Sequence, residues 1–101
     1  MKVNGKEVGF LWSIGSFCDY QDYVVNNQDV SLARANVIKA AAMTKAYADV
    51  NGGEYLTVEE LSVLPVYVLA EIVDEMKKAE DAGTTRTVEA EEKKPKSAAR
   101  K

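Results

Sequence analysis

Histidine is absent from this 101-residue chain, and cysteine occurs once, at Cys18. The first absence removes the commonest general base near neutral pH and the commonest metal-binding side chain. With one cysteine and no histidine, a structural zinc site has no ligands to draw on. A single cysteine forms no internal disulfide, which fits a reducing compartment. No apolar run approaches the roughly 18 residues that span a bilayer. No basic segment followed by a long apolar core opens the chain, as a secretory signal would. These absences argue against an enzyme, a metal or cofactor protein and a membrane protein.

Residues that hint at chemistry have plainer readings. Asp19 with Asp22, or Asp74 with Glu75, come nearest to a carboxylate Mg²⁺ site, but carboxylates on helices ordinarily face solvent. Gly9 and Gly15 fit neither the Walker nor the dinucleotide spacing. Gly9 reads as a bulge or close approach in a strand, and Gly15 as a packing site. Ser13 and Ser16 have no base to activate them, and Cys18 reads as a buried structural thiol.

What is present is a small globular body and a different tail. The hydrophobic fraction of 47% excludes a wholly disordered chain. Residues 1–83 hold seven Lys/Arg and thirteen Asp/Glu, a net of −6. Residues 84–101 hold six Lys/Arg and three Glu, a net of +3, with Val88 as their one large apolar side chain. Too little apolar surface is available there to offset ordering entropy, so 84–101 is expected to be a disordered charged tail.

The body is expected to be mainly α, a small N-terminal hairpin followed by three to four helices. Asn4-Gly5 lies between the β-favouring runs Lys2-Val3 and Glu7 to Trp12, the strongest short-range signal for a two-residue hairpin turn. Ser13 is placed to cap a first helix whose apolar positions are Ile14, Phe17, Cys18, Val24 and Val25. Asn26-Asn27-Gln28 breaks it. Asp29 or Ser31 caps a long alanine-rich helix to about Asp49, with Leu32, Ala35, Ile38, Ala42, Ala46 and Val50 as its stripe. Asn51-Gly52-Gly53 ends it. Thr57-Val-Glu-Glu60 is a capping box, with Leu56 and Leu61 as the hydrophobic staple. Pro65 forbids a continuous helix from there, so a short helix over 58–63 precedes one from Pro65 to about Asp81, closed by Ala82-Gly83.

The last helix carries more apolar surface than a narrow seam needs. Val66, Leu69, Val73 and Met76 form a heptad-like stripe that Val68 and Ile72 widen. A wide arc in so small a domain points to a partner surface, with Tyr67, Val68, Ile72 and Met76 as candidates. Tyr20 and Tyr23, flanking the apolar face of the first helix, join them.

The opening Val3-Asn-Gly-Lys-Glu-Val-Gly-Phe-Leu-Trp-Ser-Ile-Gly-Ser-Phe17 resembles the start of tail assembly chaperones of long-tailed bacteriophages and prophages. Many of these begin with an I-N-G-K-E-Y hairpin and continue with F-x-I-G-x-L/F into the first helix. The segment Leu56-Thr-Val-Glu-Glu-Leu-Ser-Val-Leu-Pro65 is similar to their short helix ending in Leu-Pro. The resemblance covers about residues 2–82. It implies a non-enzymatic protein of the host bacterial cytoplasm that binds and solubilises the tape measure protein and helps to recruit the tail tube protein; a homo-oligomer is compatible with it. It also implies a longer product made by ribosomal slippage, for which Lys93-Lys94 offers an adenine-rich site. The alternative is a small helical DNA-binding regulator or another interaction adaptor. DNA binding requires a basic recognition helix, whereas the long helix offers only Arg34, Lys39 and Lys45. Nucleic acid is therefore not expected as a partner.

Overall fold

The computed structural model describes residues 1–84 of the chain. A two-stranded antiparallel hairpin, β1 (Lys2–Val3) and β2 (Lys6–Glu7), precedes four helices: α1 (Ile14–Asn26), α2 (Leu32–Asn51), α3 (Val58–Ser62) and α4 (Val66–Thr84). The fold is mainly helical, as the periodicities imply. The expectations for the tail and for Lys93-Lys94 lie outside the described residues, apart from Thr84, which is the last residue of α4.

The hairpin closes through Asn4 and Gly5, with φ of 52° and 79°, and pairs Val3 with Lys6. Both values are positive, which is what a two-residue turn matching the strand twist requires. The regular strand is shorter than the β-favouring run to Trp12, ending at Glu7. Beyond it the chain stays tethered. Val8 N–H donates to the Met1 carbonyl at 2.8 Å, and Leu11 N–H donates to the Met43 carbonyl at 3.1 Å. Val3 and Val8 turn into the core.

Side chains read from the sequence satisfy the starts of the first three helices. Ser13 accepts from Ser16 N–H, Ser31 from Arg34 N–H, and Thr57 from Glu60 N–H. The Glu60 carboxylate in turn accepts from Thr57 N–H at 3.0 Å, completing the capping box. Gly52, at φ 80°, stops α2. Pro65 separates α3 from α4, and the α3 boundary falls one residue short of expectation.

Helix α2 is the central element; α1, α3 and α4 all pack on it. The core joins Val3 and Val8 of the hairpin region, Ala40 and Met43 of α2, Leu56 and Leu61 of the α3 staple, and Ile72 and Met76 of α4. Full burial of a side chain such as Met43, Leu56 or Ile72 contributes about 1.5–3 kcal/mol. Thr44 is fully buried too, and its hydroxyl accepts from Leu56 N–H and donates to the Ala41 carbonyl, both at 3.1 Å.

Several expected faces are rotated. On α2 the buried residues are Ala35, Ala40, Met43 and Thr44, while Leu32 and Val50, the ends of the expected stripe, are exposed. On α1, Ile14, Phe17, Cys18 and Val25 are all exposed, and the buried residue is Ser16. Cys18 is therefore a surface thiol rather than a core one. On α4, Ile72 and Met76 are 1% and 2% exposed. The interior closes over both, so neither offers the free apolar surface expected of a partner contact. Gly83 falls in the last described turn of α4 rather than after the helix, and packs on Trp12. Gly9 is a close approach, though beyond the end of β2 rather than in a strand, since a Cβ there would lie 2.5 Å from the Tyr47 ring. Gly15 is not a packing site, because a Cβ would meet only Ser13 Oγ, at 3.7 Å.

Candidate functional site

The proline break builds the site. Leu61, at the staple, is buried, and after Ser62 the chain turns through Val63 and Leu64 into Pro65. The turn is held by Leu64 N–H on the Leu61 carbonyl at 3.2 Å and Val68 N–H on the Pro65 carbonyl at 3.0 Å. This brings the start of α4 beside the start of α2 and leaves a groove of about 250 Å³ between them.

One wall of the groove is α2, through Ser31, Ala33, Arg34 and Val37. The other is the turn and the first residues of α4, through Leu64, Pro65, Val66 and Val68. Leu61, Leu69 and Ile72 form its floor. The lining is apolar except for two serines and the Arg34 guanidinium, and Arg34 makes no ion pair among the described residues. Exposed apolar side chains stand at this end of the molecule: Leu32 (78%), Val63 (80%), Val66 (85%) and Tyr67 (67%). Large apolar side chains held in solvent around an apolar groove are the usual mark of a docking surface.

The residues proposed from sequence do not all meet here. Val68 lines the groove, and Ile72 contributes to its floor while remaining core. Tyr67 is exposed one position away on α4. Met76 lies deeper in the core. Tyr20 and Tyr23 belong to α1 and line no part of the groove. Tyr23 borders a shallow cavity with Asn26 and Asn27, and Tyr20 joins a cluster around Lys39. In that cluster Lys39 Nζ lies 4.6 Å from the Tyr20 ring centroid, 5.4 Å from that of Trp12 and 2.6 Å from Glu80 Oε2. It fastens α2 to α4 and to the segment entering α1. Trp12 also meets Phe17 edge to face at 5.6 Å.

Sequence reasoning missed Arg34, Leu64 and Val63. A usable signal was present in Val63-Leu64-Pro65-Val66, where four apolar residues cross a helix break. A turn of that composition has more apolar side chains than one face can bury.

A second ion pair joins the hairpin to the helix that precedes the proline turn. Lys6 Nζ lies 2.6 Å from Glu60 Oε2 and donates to the Tyr55 carbonyl at 3.3 Å, tying the hairpin to the start of α3. The hydrogen bond from Lys6, with help from Thr57, holds the Glu60 carboxyl below its usual range, and the same pair raises the Lys6 ammonium.

Among the described residues, no three His, Cys, Asp or Glu side chains gather as a metal site. Asp19, Asp22 and Asp74 are exposed, and Glu75 pairs with Lys78 at 3.3 Å. Among the same residues, no helix is long and apolar enough to cross a membrane. Comparison with family models, with curated proteins and with solved structures finds no match to this chain.

Proposed function

We propose that this chain is a tail assembly chaperone of a long-tailed phage or prophage, binding and solubilising the tape measure protein in the host bacterial cytoplasm. The observation that carries the reading is the apolar groove between the starts of α2 and α4, with Leu32, Val63, Val66 and Tyr67 exposed at the same end. The N-terminal hairpin leading into a helix, and the short Leu-Pro helix before the last one, support it by resemblance. A tape measure protein is a long helical chain whose apolar stripes are bare until the tube encloses it. An apolar groove on a small helical body covers such a stripe by helix-in-groove packing. The net charge of −6 over residues 1–83 keeps the complex soluble. Recruitment of the tail tube protein belongs to the same proposal.

Co-expression with a tape measure protein of a long-tailed phage tests the reading. Co-purification of the two, with less of the long protein aggregating, is the expected result. A long protein that stays insoluble and unbound would contradict it.

A further inference from the structure

We infer that the groove takes an amphipathic helix with a carboxylate beside its apolar stripe, in register with Arg34. The inference rests on the functional reading for the existence of a helical client, and adds the chemistry that selects the segment.

The groove, about 250 Å³, falls below the roughly 300–1,000 Å³ of sites that enclose a small molecule. Its size and open apolar walls suit a few side chains projecting from a docked helix at i, i+3, i+4 and i+7. Charge fixes the register. Arg34 is the one charged residue in the lining and has no ion-pair partner among the described residues. The body as a whole is acidic, with thirteen Asp/Glu against seven Lys/Arg over residues 1–83, Arg34 included. A segment acidic along its length is repelled by that field. A segment with one carboxylate flanking its stripe, otherwise neutral or basic, pairs with Arg34 and is not repelled by the net charge of the body. The guanidinium fork suits a carboxylate geometrically, since it presents parallel N–H donors.

Two designed helical peptides test this on the 101-residue chain. They carry the same leucine stripe and differ only at one flanking position, Glu in one and Lys in the other. Fluorescence anisotropy should show the Glu peptide binding roughly three- to tenfold more tightly, the range of a partly exposed ion pair with its like-charge counterpart. Arg34→Glu should reverse the order, and Val66→Asp, at an exposed position on the groove wall, should weaken both. Equal binding of the two peptides, an order unchanged by Arg34→Glu, or no binding of either would overturn the inference. If the peptides fail while the tape measure protein still co-purifies, the functional reading survives alone. If the peptide preference holds and the tape measure protein does not bind, the functional reading is the one that fails.

Discussion

Gly83 lies against the backbone of Trp12: a Cβ at position 83 would collide with the Trp12 carbonyl oxygen and sit 3.0 Å from its Cβ. This contact brings the end of α4 against the segment that enters α1. Alanine in a helix interior is ordinarily better than glycine by about 1 kcal/mol. Here the methyl group meets the Trp12 backbone rather than the far end of a flexible side chain, and overpacking costs about 1–3 kcal/mol. Gly83→Ala is therefore expected to lower stability by about 1 kcal/mol, a shift of roughly 4–8 °C in a domain of this size. A thermal melt followed by Trp12 fluorescence checks it, and an unchanged or higher Tm would show that the contact is loose.

A buried hydroxyl gives a second expectation. Thr44 Oγ1 receives Leu56 N–H, positioning the residue that staples α3. Thr44→Val keeps the shape and leaves that N–H without a partner, at a cost of about 1–3 kcal/mol. Thr44→Ser should recover part of the loss. Urea unfolding of the three proteins makes the comparison, and equal midpoints would show that the bond contributes nothing net.

The α4 residues separate core from groove. Ile72→Ala should destabilise the chain by about 2–5 kcal/mol, because it empties a site that is 1% exposed. Val66→Asp changes a side chain that is 85% exposed and should leave stability within about 0.5 kcal/mol. Only the second variant then reports on partner binding in a folded protein. Denaturation of each variant, beside a pull-down with a tape measure protein as the proposed client, checks the division.

The Lys6–Glu60 pair sets a pH dependence. Glu60 is held below its ordinary carboxyl range in the folded chain, so its contribution is fully present above the unfolded value near 4.5. It is lost as pH falls through the lower folded value. Glu60→Gln retains an acceptor for Thr57 N–H and removes the charge. The Tm difference between wild type and Glu60→Gln should be constant near neutrality and shrink as pH falls below about 4.5. A difference that persists unchanged in acid would mean that the ion pair is not its source.

Local signals in the sequence carried most of the fold. Asn4-Gly5, the caps Ser13, Ser31 and Thr57, the Gly52 stop and the Leu56–Leu61 staple each act over a few residues, so short patterns reveal them. The helix faces were less legible because hydropathy contrast is weak where the buried side chains are small. Helix α2 is alanine-rich all round, and its interior positions Ala35, Ala40 and Thr44 are chosen by which neighbour packs there. Ser16 is buried because its hydroxyl serves Ser13 N–H and the Leu11 carbonyl, both at 2.9 Å, a role hydropathy does not register. The candidate site was half legible. An apolar surface near the start of α4 can be read from Tyr67 and Val68, whereas Arg34 enters only because the Pro65 turn carries α4 to the start of α2.

Whether the groove is the client face that the proposed function requires is tested by hydrogen–deuterium exchange of the 101-residue chain, alone and mixed with a tape measure protein. Added protection should fall on residues 31–37 and 61–69, the two walls of the groove, with α1 unchanged. Protection confined to α1 or the hairpin, or none in a mixture of the two proteins, would contradict the assignment of the groove as the binding face.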